Sequence, residues 1–258
     1  TITGTTYTTY NFTVDAIDAQ AQSSPRLFNI ITSEPNYNSP GDGEYTSDSD
    51  TIMLLHGNGN GNDSSSNSHT ATAVGSASFT SSGVVKLGTG ALDNNTGNSV
   101  NDYFTVASSS DFAFGTGAWT IDFWYYLRDT ESMTNLFLLG THSLNGEIKI
   151  RGTAGGAYNV EITPTGGGTQ YAINATPSGS IPQDTWVHLA LVRVNAGAST
   201  LYHNGTSVGT VTTSGSCGIG TTGITLGSRG IATQNLDGLL DEIRVSDVAR
   251  WTSNFTVT

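Results

Sequence analysis

From Thr51 onward the chain alternates short apolar runs with stretches of Gly, Asn, Ser and Thr. The runs read TIMLLH, SASFTS, YFTVA, AWTIDFWYYL, NLFLLG, EIKIRG, YNVEIT, QYAINA, TWVHLALVRV, STLYHNG, TSVGTV, GITLG and LLDEIRVS. No stretch of a dozen residues shows a convincing apolar repeat at i, i+3 and i+4, the spacing a helix needs to bury one face. Many short strands separated by turn signals predict an all-β sandwich or jelly roll. Asn204-Gly205, between STLYH and TSVGTV, has the residues that a two-residue hairpin turn requires, because both central positions adopt positive φ.

Alternation then assigns faces. In Ala118 to Leu127, one face carries Trp119, Ile121, Phe123 and Tyr125, and the other carries Thr120, Asp122, Trp124 and Tyr126. In Trp186 to Val194, Trp186, His188, Ala190, Val192 and Val194 oppose Val187, Leu189, Leu191 and Arg193. Both faces of both segments are largely apolar, so these two are expected as central strands, covered on both sides or facing a groove.

The first residues follow a different pattern. Tyr10, Phe12, Val14 and Ala16 alternate with polar residues, a polar turn AQAQSSP follows, and RLFNII comes next, which predicts a hairpin. A lone hairpin is marginal in water, so this one is expected to belong to a larger sheet. The expected division is a hairpin unit over 1–33, a linker over 34–49 with two of the six prolines, and a sandwich over 50–258.

Composition narrows the function classes. The net charge is −12, with 9 Lys plus Arg against 21 Asp plus Glu. Nucleic-acid binding needs a basic footprint, and docking on anionic lipid needs the same sign, so both are excluded as partners. The longest apolar runs are too short to span a bilayer. The single cysteine, Cys217, cannot form an internal disulfide. With 36% hydrophobic residues the chain can still build a core.

The order of segments LLHGNGNGNDSSSNSHTAT, DYFTVA, DFAFGTGAWTIDFWYYL, TWVHLALVRV, STLYHNGTSVG, ITLGSRG and LDGLLDEIRVSDVARWTSNFTV carries a resemblance. Together they are similar to the laminin-G-like, concanavalin A-like lectin/glucanase superfamily, and in particular to its members in phage virion and tail proteins. The resemblance implies a concanavalin A-like jelly-roll sandwich of two antiparallel sheets. The N-terminal hairpin resembles the last strands of an immunoglobulin-like or cadherin-like repeat, and the ending VARWTSNFTV resembles the close of phage-type chains, which implies an excised last domain.

Candidate chemistry follows from both readings. Sugar-cleaving members of the superfamily resemble one another in an E-x-D-x-E-type strand, which supplies the two closely spaced carboxyls of retaining chemistry. This chain has no such run, and a regular strand would point the adjacent Asp241 and Glu242 to opposite faces. A non-catalytic module is therefore expected. Alternation over LLDEIRV puts Leu239, Asp241, Ile243 and Val245 on one face, leaving a carboxylate on an apolar face that needs a cation or several hydrogen bonds. The loop GNGNGNDSSSN carries one charge, Asp63, among amide and hydroxyl oxygens. The resemblance implies calcium as cofactor, with Asp63 and Asp241 as its ligands. For glycan binding, the aromatic and short polar side chains Asp122, Trp124, Tyr126 and Tyr202 are the candidate ligand contacts. His188 is expected as a structural core residue. The expected role is a virion-surface module, in decoration, fibre or tail, that adheres to host-surface glycans. Its expected partners are other virion subunits and further copies of itself. The alternative is a secreted bacterial adhesin, or a carbohydrate-binding module accessory to a polysaccharide-degrading enzyme, located extracellularly or at a bacterial cell surface.

Overall fold

The computed structural model describes residues 7–17, 23–33, 43–80, 83–94, 102–128, 134–141, 145–153, 155–166, 170–195, 197–218, 220–229 and 234–257. Most of the expected linker, 34–42, lies outside the described residues. The chain falls into two compact units, Thr1–Gly43 and Glu44–Thr258.

The first unit is a hairpin. Strand β1 (Tyr7–Ile17) pairs antiparallel with β2 (Ser23–Ser33), in a register that sets Phe12 opposite Phe28. The two strands form a two-stranded sheet of their own.

The second unit holds β3 (Thr51–Leu55), β4 (Ala71–Val74), β5 (Ser78–Thr80), β6 (Ala91–Asp93), β7 (Tyr103–Val106), β8 (Trp119–Leu127), β9 (Thr134–Leu139) and β10 (Ile148–Gly152). It continues with β11 (Tyr158–Ile162), β12 (Tyr171–Ala175), β13 (Trp186–Arg193), β14 (Ala198–His203), β15 (Thr206–Thr212), β16 (Ile224–Leu226) and β17 (Gly238–Ser246). A 3₁₀ turn, Ser110–Phe112, follows β7. Each of the thirteen apolar runs becomes a strand; β4 (ATAV) and β6 (ALD) are strands outside those runs. No helix among the described residues is long and apolar enough to cross a membrane.

The strands form two antiparallel sheets, the sandwich expected from the sequence. A seven-stranded sheet runs β12-β11-β10-β9-β16-β7-β4. An eight-stranded sheet runs β15-β14-β13-β8-β17-β6-β5, with β3 also paired to β17. The core lies between the sheets. Trp119, Ile121, Phe123 and Tyr125 of β8 and Val187, Leu189 and Leu191 of β13 meet Phe137, Leu139, Ile148, Ile150 and Val160 from the other sheet. Phe123 stacks on Phe137 at 6.3 Å, and the hydroxyls of Tyr125 and Tyr158 share a hydrogen bond across the core. The alternation in β8 and β13 therefore holds, and both strands are central, as expected.

The Asn204-Gly205 turn forms with φ of 46° and 74°. Its Asn204 side chain accepts the His188 N–H at 2.9 Å, locking the hairpin to β13.

Candidate functional site

The outer face of the eight-stranded sheet gathers most of the candidate residues. The register of β8 and β13 sets His188 opposite Trp124 and Ala190 opposite Asp122. This face is not open. The C-terminal segment folds back across it, with Ala249, Trp251 and Phe255 packing on Ala190, Val192 and Tyr202. Trp251 and Phe255 stack at 4.0 Å and both present His188 with an edge at 5.8 Å. His188 is fully buried.

Asp122 sits beneath this cover and is also fully buried. Arg244 donates to it through Nε at 3.0 Å and through one terminal nitrogen at 2.9 Å, and the His188 Nε2 lies 3.4 Å away. Burial alone would raise the Asp122 carboxyl, but His188 and Arg244 hold it below the usual range. Arg244 is in turn stacked 4.2 Å from the Tyr45 ring centroid. Trp124 is only 8% exposed, with the Lys86 ammonium 4.0 Å from its ring centroid. Tyr202 is buried against Phe255. Of the four expected ligand contacts, Tyr126 alone keeps partial exposure, beside Trp186 and with its hydroxyl donating to Asp184. Alternation placed Asp122, Trp124 and Tyr126 on one face correctly; it could not show that a distant terminal segment covers that face.

Strand β17 departs from the expected pattern. Its first residues pair with β6 and its last with β3, and against β8 the register slips between Asp241 and Arg244. Glu242 takes up the slip with φ of 50°, a left-handed conformation unfavourable for a residue with a Cβ. Asp241 therefore opposes Trp124 and Arg244 opposes Asp122 on the outer face, whereas Ile243 and Val245 enter the core. The single face expected for Leu239, Asp241, Ile243 and Val245 is corrected by this bulge, because one extra residue reverses every later side chain.

At the bulge Asp241 and Glu242 are both fully buried. One Asp241 oxygen accepts the Lys86 and Leu87 N–H groups at 3.0 and 3.1 Å, and the other accepts the Glu242 N–H at 2.8 Å. Burial, with the charge of Glu242 added, pushes the Asp241 carboxyl up to about 8 in spite of these bonds. Glu242 accepts the Tyr45 N–H at 2.7 Å and lies 2.7 Å from the His56 Nδ1. Burial raises Glu242 above the usual carboxylate range, with His56 opposing. Burial would lower His56, but Glu242 and Glu44 leave it above the usual histidine range. Among the described residues, Glu44, His56 and Glu242 can together offer ligand atoms to a metal, all within 4.8 Å of one another. Sequence reasoning missed this group because Glu44 stands in the expected linker and His56 follows β3, 186 residues before Glu242. Only the acidic doublet in an otherwise apolar strand hinted at it.

Asp63 builds the rim instead. Its oxygens accept the N–H groups of Leu54, Ser65 and His69, each at 2.8 Å, and the Ser65 hydroxyl at 2.7 Å. Calcium binds through roughly six to eight oxygens. The Asp63 oxygens accept from four donors and those of Asp241 from three. The two aspartates have no hydrogen-bond partner in common, so the structure shows each held by its own set of donors.

The loop that Asp63 folds separates two hollows. One, of ≈ 480 Å³, is lined by Ser68, His69, Thr72 and Thr105 among others. The second, of ≈ 420 Å³, is lined by Asn67, Asp111, Phe114 and Asp247 among others. His69 forms part of the wall between them, tilted on Phe112 at 4.8 Å with its Nε2 3.0 Å from Asp111. Asn67 is anchored by its amide, which donates to the Ile52 carbonyl at 2.8 Å. Phe114 is half-buried and stacks on Trp119.

Comparison with known proteins places this architecture. The laminin G-like family model described as the concanavalin A-like lectin/glucanases superfamily matches residues 96–253. No curated protein sequence matches the chain. Among solved structures, the binding domain of Paraclostridial Mosquitocidal Protein 1 superposes with a TM-score of 0.60 at 15% identity, over 78% of this chain and 49% of that one. The receptor binding domain of botulinum neurotoxin D gives a TM-score of 0.60 at 14% identity, over 80% of this chain and 50% of that one. The binding domain of Botulinum Neurotoxin DC in complex with SialylT gives 0.58 at 11% identity, over 78% and 48%. The chain thus spans about half the length of these structures, and the likeness at such identity is one of fold. The chain belongs to the concanavalin A-like lectin/glucanases superfamily.

Proposed function

We propose that this concanavalin A-like sandwich is a non-catalytic module that binds a carbohydrate at its rim, between the Asp63-folded loop and the 3₁₀ turn. The observation that carries the reading is the ≈ 420 Å³ hollow lined by Asn67, Asp111, Asp247 and the half-buried Phe114 ring. Its volume lies within the range of small-ligand sites. Amide and carboxylate groups can bond sugar hydroxyls, while an aromatic ring offers an apolar surface to the sugar face. The adjacent Asp241 and Glu242, by contrast, are fully buried and bonded to backbone N–H groups. They do not present paired carboxyls to a sugar in a cleft, as glycoside hydrolysis requires.

The finer placement we infer is the surface of a virion, as a decoration, fibre or tail module assembled with other subunits and further copies of itself. It is supported by the resemblance of the order of the segments to phage-type members. On a symmetric particle a weak sugar site suffices, because linked copies raise the effective concentration. The fold shared with the neurotoxin binding domain in complex with SialylT favours a second reading, a secreted adhesin or accessory binding module. Electron microscopy of intact particles with antibody against this domain separates the two.

The binding test is a glycan array probed with the domain fixed in many copies on beads. The expected result is retention on a defined glycan class, lost with Asn67→Ala and Asp247→Ala, both at exposed positions. No retention on any glycan, or retention unchanged in both variants, overturns the proposed site.

A further inference from the structure

The outer end of the β17 bulge has the makings of a metal centre. Its innermost member, Glu242, is fully buried, and its carboxylate meets one backbone N–H and one imidazole. The nearest arginine along the strand, Arg244, is committed to Asp122 by two hydrogen bonds. A second carboxylate, Glu44, brings its Oε1 to 4.0 Å from the same His56 Nδ1. Two glutamates thus converge on one imidazole, His56, while the neighbouring Asp241 faces Lys86, and a buried carboxylate so placed calls for a stronger counter-charge.

We propose that Glu44, His56 and Glu242 bind a divalent transition-metal ion of the zinc class, which clasps the entry segment Glu44-Tyr45 onto the eight-stranded sheet. One imidazole nitrogen and two carboxylate oxygens form a mixed shell, suited to zinc rather than to the all-oxygen preference of calcium or the thiolate preference of softer ions. Zinc bonds of about 2.0–2.2 Å set tetrahedral ligand atoms about 3.3 Å apart. The two separations from the His56 Nδ1, 2.7 and 4.0 Å, bracket that value, and the three ligand atoms all lie within 4.8 Å of one another. Binding replaces the His56–Glu242 hydrogen bond, opens that pair slightly and draws Glu44 in, leaving a fourth position for water.

The movable and fixed parts are arranged for this. The side chains of Glu44 and His56 keep 25% and 17% exposure, which gives the ion an entry path, while that of Glu242 keeps 0%. Outer partners orient the ligands: Asn58 donates to the Glu44 Oε1 and the Tyr45 N–H to the Glu242 Oε2. Gly88 completes the cradle. A Cβ there would stand 2.1 Å from the Glu44 Oε1 and 2.6 Å from the Asn58 Oδ1, so Glu44 occupies the place a side chain would fill. This inference is independent of the carbohydrate reading, whose hollow is lined by none of these three residues.

The test is calorimetric titration of the chelator-treated full chain with zinc chloride, alongside melting curves and the visible spectrum with cobalt(II). The expected result is one ion per chain, a higher melting temperature with zinc and no such rise with calcium. Glu44→Gln and His56→Gln, both at partly exposed positions, should each weaken zinc binding by at least about tenfold, with far-ultraviolet circular dichroism unchanged. Glu242→Gln is set aside because the residue is buried in the strand ladder. No heat and no melting shift with zinc, or parental affinity in both variants, overturns the proposal.

Discussion

Arg244 and Asp122 lie opposite each other on β17 and β8 and close a two-pronged ion pair, at 3.0 and 2.9 Å, inside the outer face of the eight-stranded sheet. The pair exists only because the bulge at Glu242 shifts β17 by one residue, which turns Arg244 toward Asp122 rather than into the core. It also organises the cover above, since Tyr45 stacks on the guanidinium at 4.2 Å. Removing one member strands a buried charge. Asp122→Leu and Arg244→Met should each lower unfolding free energy by about 3–5 kcal/mol. The double replacement Asp122→Leu with Arg244→Met should recover much of that loss. Urea denaturation of the four proteins gives the coupling; additive losses would mean the pair contributes nothing as a pair.

The same aspartate sets behaviour in acid. Asp122 is held below the usual carboxylate range by His188 and Arg244 against the opposing effect of burial. Asp48 is also held below it, by hydrogen bonds from Arg250 and Thr51. A carboxyl lower in the folded than in the unfolded chain contributes its full stability above the unfolded value, about 4, and loses it progressively below that as pH falls through the lower folded value. Asp241 and Glu242 are raised, so acid relieves rather than worsens their burial. Urea midpoints at pH 5 and pH 3 should therefore fall for the parent and fall less for Asp122→Asn. Equal slopes would remove Asp122 from the acid response.

Local pattern carried the sandwich. Every run of alternating or continuous apolar residues became a strand, and the faces of β8 and β13 followed from period two alone. The Asn204-Gly205 turn was legible for the same reason, since positive φ at both positions is a property of those residues. The binding face was less legible. Trp124 and Tyr202 read as sugar-stacking aromatics, yet Lys86 and Phe255 cover them from positions 38 residues earlier and 53 residues later in the chain. The β17 bulge left no trace in the alternation, because a single left-handed glutamate reverses the face without changing composition. Asp63 was found by its isolation in a polar loop, and its backbone donors fit it to fold that loop.

The hairpin turn that fixes the C-terminal cover makes a sharp test. Gly205 has φ of 74°, and a Cβ there would stand 2.0 Å from the Phe255 carbonyl oxygen. The same glycine accepts the Phe255 N–H through its own carbonyl at 2.9 Å. Gly205→Ala must displace the segment that covers His188. It should cost about 2 kcal/mol or more, combining left-handed strain with lost packing. Gly59→Ala, at φ of 75° but with nothing within 4 Å of its Cβ, should cost about 1 kcal/mol or less. The two variants are compared by chemical denaturation, and tryptophan fluorescence should shift only in Gly205→Ala. Equal losses would mean strain alone acts, and that Phe255 does not depend on the turn.

Cys217 should behave as a packed core residue and not as a reactive thiol. It is fully buried, and burial pushes its thiol up despite the opposing charge of Arg193. That arginine is itself held by the Gly115 and Gly215 carbonyls at 3.2 and 2.8 Å, so it closes the region around the sulfur. The thiolate is the reactive form, and a raised, inaccessible thiol supplies little of it. Iodoacetamide at pH 8 should leave Cys217 unmodified in the folded chain over hours and alkylate it within minutes in strong denaturant, as read by intact mass. The reaction rate in intermediate urea should follow the fraction unfolded, because opening of the core is the step that exposes the sulfur. Rapid alkylation without denaturant would show that the Gly115–Cys217 bridge opens locally, and that this end of the sandwich is less stable than the packing around Phe112 and Trp119 implies.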